Sequence, residues 1–142
     1  MKYTVAVDFD GVLHRYDSPW VNAHTIPDQP VDGAIGWLHR TIQSFDVVVF
    51  TTRGKTWRGR RAVRRWLREF SGALWNDGPG YRGIEAVKVT YKKLPALVYL
   101  DDRAMRFNGV FPTANEIHRA RPWNKAPSLG GAADTQAKQE ER

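Results

Sequence analysis

Short apolar runs that end at an acidic or hydroxyl side chain constrain the fold of this sequence more than any other feature. The runs cover 4–7, 46–50 and 96–100, and the residues that follow them are Asp8, Thr51 and Asp101. Short runs rich in valine are typical of strands buried in a parallel sheet. Between the runs, apolar residues at helical spacing predict helices over 31–44 and 57–70. Strands that alternate with helices predict an α/β fold around a mainly parallel sheet.

Weaker patterns complete the predicted order of elements. We predict a strand over 84–90 and a last short helix that Thr113 caps and that ends at His118. Asp32 is the predicted N-cap of the first helix. Residues 14–30, called the flap below, are polar and contain three prolines, which predicts a loop.

Composition predicts one domain followed by a tail. The chain has 142 residues and no cysteine, which fits a single core without disulfides and favours a reducing compartment. No apolar run approaches the ~20 residues that span a bilayer, so we expect a cytoplasmic protein without a membrane partner. The predicted domain covers 1–125. In 126–142 only Leu129 is an apolar residue larger than alanine, which predicts a flexible tail.

Four aspartates follow the predicted strand ends: Asp8, Asp10, Asp101 and Asp102. Because ligands of open parallel sheets bind beyond the carboxyl ends of the strands, we expect these carboxylates to converge. Their repulsion calls for a cation, and oxygen ligands favour Mg²⁺ over zinc. An aspartate beside Mg²⁺ can attack phosphorus, and a carboxylate two residues further on can protonate the leaving oxygen and then activate water. Asp8 and Asp10 have this spacing.

Three further side chains are candidate ligands of a phosphoryl group. The Thr51 hydroxyl and the Lys93 ammonium would hold the phosphoryl oxygens, whose negative charge must be neutralised in the transition state. Arg53 lies close enough to Thr51 in the sequence to contact substrate phosphate. His14, just after the first aspartates, is a further candidate for contact with substrate.

In this order, the motifs resemble those of the haloacid dehalogenase-like (HAD) superfamily of phosphohydrolases. The match consists of Asp8-Phe9-Asp10-Gly11-Val12-Leu13 after a strand, Thr51 after a strand, Lys93, and Asp101-Asp102 after a strand. The resemblance implies a Rossmann-like three-layer sandwich. It also implies that Asp8 is the nucleophile, forming an aspartyl-phosphate, and that Asp10 is the general acid and base.

The resemblance also ranks neighbouring residues that share a motif. It favours Thr51 over Thr52 and Lys93 over Lys92 as phosphate ligands, and Asp102 over Asp101 as the metal ligand beside Asp8 and Asp10. In each pair the second residue stays open as the alternative. The flap and the segment 76–92 are too short for a cap domain, so the resemblance is to minimal-cap members, whose open site suits bulky substrates.

Charge points to the substrate class. The net charge is +7, which favours phosphorylated or polyanionic partners. The arginines that could bind a nucleic acid are Arg58, Arg60, Arg61, Arg64, Arg65 and Arg68. The alternative for this stretch is a solvated helix face whose arginines pair with Glu69 or other acids. Trp20 in the flap is a candidate platform for a base.

The segments 51–53 and 101–103 also resemble the phosphatase domain of phage polynucleotide kinases, which acts on 3′-phosphate ends. We therefore predict a Mg²⁺-dependent phosphomonoesterase acting on nucleotides or phosphorylated nucleic-acid ends. Two alternatives stay open: a nucleic-acid-binding module on the same fold without useful catalysis, and a phosphotransferase that passes the phosphoryl group to an acceptor other than water.

Overall fold

A parallel sheet with helices between its strands organises the first part of the chain. The structure is a computed structural model and describes residues 2–72, 80, 82–121 and 123. The elements are β1 (Thr4–Val7), α1 (Ala34–Ser44), β2 (Asp46–Phe50), α2 (Trp57–Ser71), β3 (Lys88–Thr90), β4 (Val98–Leu100) and α3 (Ala114–Arg119). All three strand pairs are parallel. The predicted α/β class with a parallel sheet is therefore confirmed.

The chain divides into two compact units, 1–101 and 102–142. The sheet, α1 and α2 belong to the first unit, and α3 belongs to the second. The predicted domain over 1–125 stays a prediction, and the predicted tail over 126–142 lies outside the described residues. None of the helices in the described ranges is both long enough and apolar enough to cross a membrane.

The strand order reverses beside β1. Across the sheet the order is β3-β2-β1-β4, so the chain moves outward from β1 through β2 to β3 and then returns to the opposite side of β1. In open parallel sheets ligands bind at the carboxyl ends of the strands where the order reverses in this way. Here that point lies between β1 and β4, the two strands that Asp8 and Asp101 follow.

The core of the first unit lies on one face of the sheet. The strand side chains of this face are Val7, Val47, Val49 and Val89. The helix side chains packed in the same cluster are Leu38 and Ile42 from α1, and Val63, Trp66 and Leu67 from α2. Full burial of one such aliphatic side chain contributes roughly 1.5–3 kcal/mol. Both helices are thereby held against the sheet, which fixes where α2 begins relative to the end of β2.

The predicted N-cap of the first helix is wrong, whereas the predicted last helix is confirmed. The first helix begins at Ala34, and its N-cap is Gly33 with φ 82°, not Asp32. A left-handed residue suits glycine because it has no Cβ to clash, so the turn before the helix decides the boundary. The last helix is confirmed, since Thr113 and Glu116 form a reciprocal capping box before Ala114–Arg119.

Two strand predictions were wrong in part. In the segment 84–90, residues Ile84–Ala86 form a 3₁₀ turn and only Lys88–Thr90 pair with β2. The last strand is confined to Val98–Leu100, and it is not buried: Val98 is 50% and Leu100 is 42% exposed. The reason is position, because β4 is an edge strand that pairs with β1 alone.

Gly59 is required where α2 packs against the turn that follows β2. A Cβ at this position would lie 1.9 Å from the carbonyl oxygen of Arg53. Gly59→Ala is therefore expected to lower the free energy of unfolding by about 1–3 kcal/mol, the usual cost of overpacking. Urea denaturation measures this change. Gly72→Ala is the control, because its Cβ would meet nothing closer than 3.4 Å, and equal stability of the two variants would contradict the prediction.

Candidate functional site

Three carboxylates lie close together after the ends of β1 and β4. The two strand ends are joined by a hydrogen bond of 2.8 Å from the Asp8 backbone N–H to the Leu100 carbonyl. One carboxylate oxygen from each of Asp8, Asp101 and the next residue, Asp102, lies within 4.8 Å of the other two. The expected convergence of carboxylates therefore holds for three of the four aspartates.

These three side chains fit a divalent cation. Like charges this close repel one another unless a cation lies among them. In addition, the buried Oδ1 atom of Asp102 has no hydrogen-bond partner among the described residues, and a buried oxygen of this kind is costly without a ligand. The donors are all carboxylate oxygens, which is the chemistry that Mg²⁺ prefers. The residues present are thus compatible with Mg²⁺.

The first motif lies in a tight turn directly after β1. The Phe9 carbonyl accepts hydrogen bonds from the N–H groups of Leu13 (3.0 Å) and His14 (2.9 Å), so the chain reverses directly after the strand. Gly11 has φ 85°, a conformation that glycine adopts without strain. The Phe9 N–H donates to Asp8 Oδ1 at 2.8 Å, which orients the Asp8 carboxylate.

Asp10 lies in a different environment from the other three aspartates. Its carboxylate accepts two hydrogen bonds from Arg53 Nε, at 3.0 and 2.8 Å, and one from His14 Nδ1 at 2.8 Å. It is not a member of the described carboxylate group that could hold a metal. Its predicted role as a metal ligand stays a prediction, and its oxygens are engaged by protein donors.

The position of the ring proton on His14 follows from the hydrogen-bond partners of its two nitrogens. Nε2 accepts the backbone N–H of Asp28 at 3.2 Å, so we assign the tautomer in which Nδ1 carries the proton and donates to Asp10. The ring is fully buried and stacks on Phe9, with ring centroids 5.3 Å apart. His14 is therefore a buried partner of Asp10, and contact between His14 and substrate stays a prediction.

Asp10 is ionised at neutral pH. Burial by itself would raise the pKa of this carboxyl, but the hydrogen bonds from His14 and Arg53 and the charge of Arg53 outweigh burial and lower the pKa below its usual value. An ionised Asp10 is a hydrogen-bond acceptor only, which matches its two donor groups, Arg53 Nε and His14 Nδ1.

Arg53 joins Asp10 to the flap. The side chain is 1% exposed. Its Nη1 donates to the carbonyls of Asn22, Ala23 and Thr25 at 3.0, 3.2 and 3.0 Å. Its guanidinium carbon lies 4.4 Å from the centre of the Trp20 ring. The predicted contact of Arg53 with substrate phosphate stays a prediction, because its Nε and Nη1 atoms bind protein acceptors here.

The predicted phosphate ligands occupy separate places. Thr51 is buried, and its hydroxyl oxygen accepts the Arg53 N–H at 3.2 Å as the N-cap of the 3₁₀ turn Thr52–Lys55. Thr52 is exposed. Lys93 and Lys92 are also exposed, and their ammonium groups lie 5.7 and 5.9 Å from the ring centres of Tyr99 and Tyr91. Phosphate binding by these residues stays a prediction.

Sequence reasoning missed the support around Asp10. The Asp28 carboxylate accepts hydrogen bonds from the Ser18 hydroxyl at 2.5 Å and from the Ser18 N–H at 2.8 Å. The Asp28 backbone carbonyl accepts a hydrogen bond from Trp66 Nε1 at 3.0 Å. The sequence does hold one signal, the separation of four residues between Asp10 and His14. No local pattern connects either residue to Asp28 or Trp66, because those contacts are long-range.

The lowered pKa of Asp10 predicts how stability depends on pH. A carboxylate with a depressed folded pKa stabilises the protein above its unfolded pKa, about 3.9, and this contribution is lost as pH falls through the folded value. In EDTA, the free energy of unfolding should therefore differ most between wild type and Asp10→Asn at neutral pH. The difference should shrink below about pH 4. Urea titrations across this range measure it, and a difference independent of pH would contradict the prediction.

No family membership follows from similarity to known proteins. Comparisons with models of protein families, with curated protein sequences and with solved structures returned no significant match.

Proposed function

We propose that the protein is a Mg²⁺-dependent phosphomonoesterase of HAD type with a minimal cap and a Rossmann-like three-layer fold. One observation carries the proposal: oxygens of Asp8, Asp101 and Asp102 lie within 4.8 Å of one another, where the strand order reverses. These three residues would hold Mg²⁺. The bound ion would neutralise their charge and that of the phosphoryl group.

In the first step an Asp8 carboxylate oxygen attacks phosphorus. The bond from phosphorus to the leaving oxygen breaks, Asp10 gives its proton to that oxygen, and an aspartyl-phosphate forms on Asp8. This step requires Asp10 to have gained a proton from solvent. The hydrogen bonds from Arg53 and His14 hold the carboxyl in one orientation for the transfer.

In the second step Asp10, now ionised, takes a proton from water. The water oxygen attacks phosphorus, the bond from phosphorus to Asp8 breaks, and inorganic phosphate leaves while Asp8 is regenerated. The Asp10 carboxylate is available as the base in this step because it gave up its proton in the first. Thr51 and Lys93 are the proposed ligands of the phosphoryl oxygens.

A release assay tests the proposed function. The substrates are p-nitrophenyl phosphate, nucleoside monophosphates, and oligonucleotides phosphorylated at the 3′ or the 5′ end. We expect phosphate release with Mg²⁺ and none with EDTA, and a preference for one substrate class would identify the natural one. Salt-dependent oligonucleotide binding without release from any substrate would instead favour the binding module.

The affinity for Mg²⁺ tests separately whether each of the two aspartates after β4 is a metal ligand. Because both contribute an oxygen to the carboxylate group, Asp101→Asn and Asp102→Asn should each weaken Mg²⁺ binding at least about tenfold, as loss of supporting metal-site residues commonly does. Isothermal titration with Mg²⁺ measures this. Asp17→Asn is the control, since Asp17 is exposed and pairs with Arg15 at 3.1 Å. Unchanged affinity in one of the two variants would exclude that residue as a ligand.

A further inference from the structure

The arginines of α2 occupy different surroundings. A cavity of about 280 Å³ is lined by His24, Trp57, Arg58, Arg61, Ala62 and Arg65. A second cavity of about 240 Å³ has Arg64 and Arg68 in its lining, together with Glu85 and Lys88. Arg60 donates to the Gly54 carbonyl at 2.7 Å and so supports the start of the helix. Of these two cavities, the first brings three guanidinium groups together with an aromatic ring.

The charges of that cavity are not neutralised within the described chain. The ion pairs among the described residues involve Asp10, Asp17, Asp28 and Asp46 as acids, and none of them includes Arg58, Arg61 or Arg65. The alternative in which these arginines pair with Glu69 is therefore not observed. Three uncompensated cations around one concavity favour an anionic ligand, and arginine binds phosphate oxygens through paired N–H groups.

Trp57 specifies the kind of anion. It is the first residue of α2, it is 62% exposed, and its side chain lines the same cavity as the arginines. An exposed indole beside cationic groups is a platform on which an unpaired base can stack. The cavity volume lies just below the range for ligand pockets, about 300–1,000 Å³. This size suits one nucleotide.

The cavity also has a defined place relative to the candidate active site. His24, on its rim, belongs to the flap and directly follows Ala23, whose carbonyl binds Arg53. Trp57 begins α2 shortly after the turn Thr52–Lys55 that leaves β2. The cavity thus lies toward the carboxyl edge of the sheet, the edge that also carries Asp8.

We propose that this cavity binds one nucleotide of a single-stranded nucleic acid, with the base on Trp57 and the adjacent phosphates on Arg58, Arg61 and Arg65. That the strand is the substrate rests on the proposed phosphatase function. The binding itself does not.

Matched charge removals test the site. Arg61→Gln/Arg65→Gln removes two charges from the proposed cavity, and Arg64→Gln/Arg68→Gln removes two charges from the same helix outside it. The probes are fluorescein-labelled, unphosphorylated oligothymidylate and oligouridylate, followed by anisotropy without Mg²⁺. For the first pair we expect the magnitude of the slope of log affinity against log salt concentration to fall by about 1.4. Each phosphate contact on a single strand contributes about 0.7 to this slope, and two contacts are removed. For the second pair we expect the wild-type slope.

Trp57 provides an independent readout. Trp57→Ala should weaken binding about tenfold, within the range measured for loss of one base–aromatic contact, while the salt slope stays unchanged. Trp57→Phe keeps an aromatic face and should restore most of the affinity. Unchanged affinity of Trp57→Ala would overturn the assignment of the base to this ring.

The two proposals fail separately. Equal losses in the two arginine pairs, or no binding of either oligonucleotide at low salt, would overturn the nucleotide site whatever the phosphatase assay shows. Displacement of the probe by polyglutamate as readily as by unlabelled oligonucleotide would show an acidic protein ligand and also overturn it. A cavity-specific loss of binding in a protein that releases no phosphate would retain the site and reject the phosphatase. The comparison of the two probes shows whether DNA or RNA is preferred.

Discussion

Asp8→Asn is expected to stop phosphate release while leaving the protein folded. In the proposed mechanism the substitution removes the attacking carboxylate and with it the covalent step, and loss of a catalytic nucleophile lowers turnover by a factor on the order of 10⁴ or more. The fold should tolerate the change because Asp8 Oδ1 accepts the Phe9 N–H at 2.8 Å, and an amide oxygen can accept the same bond. The measurement is phosphate release with Mg²⁺ from the best substrate of the panel.

Stability gives this prediction a second readout. The variant removes one negative charge from a group of three whose oxygens lie within 4.8 Å. Without Mg²⁺, its melting temperature should therefore equal or exceed that of wild type. Asp17→Asn, which changes an exposed carboxylate, controls for the loss of charge alone and should retain full activity. Full turnover in Asp8→Asn would remove the nucleophile assignment.

Arg53→Ala is expected to lower the free energy of unfolding by about 3–5 kcal/mol, the usual cost of removing one partner from a buried ion pair. The substitution leaves the Asp10 carboxylate without its two bonds from Nε. It also leaves three flap carbonyls without their donor: those of Asn22, Ala23 and Thr25. Urea denaturation at neutral pH measures the change.

Two further variants separate geometry from charge. Arg53→Lys keeps the charge but cannot bind both Asp10 and the flap carbonyls, because an ammonium lacks the planar fork of a guanidinium. It should be intermediate in stability, and its flap should be cleaved faster by protease than that of wild type. Arg15→Ala breaks an exposed pair with Asp17, in which the side chains are 50% and 62% exposed, and should cost at most about 1 kcal/mol. Similar losses for Arg53→Ala and Arg15→Ala would contradict the structural role of Arg53.

Local pattern was sufficient for much of the fold. The apolar run at 46–50 and the apolar stripe of α2 predict β2 and that helix almost to the residue. Both signals arise from neighbouring residues that share one buried face. The boundaries that failed depend on context, since Gly33 rather than Asp32 precedes α1 and the edge position of β4 leaves its side chains half exposed.

The amino-acid pattern is sufficient to predict that the aspartates lie at one edge of a parallel sheet, because the carboxyl ends of parallel strands point the same way. Which of these carboxylates come close together depends on long-range contacts, which no local pattern contains. The strand order puts Asp8 beside Asp101. The Asp10 carboxylate instead accepts hydrogen bonds from Arg53, 43 residues away in the sequence. The position of Arg53 close to Thr51 in the sequence predicts contact with substrate phosphate, and this stays a prediction. A guanidinium can nevertheless be buried when fixed acceptors satisfy its donors. Here the acceptors are the Asp10 carboxylate and three flap carbonyls, and no local sequence pattern around Arg53 indicates them.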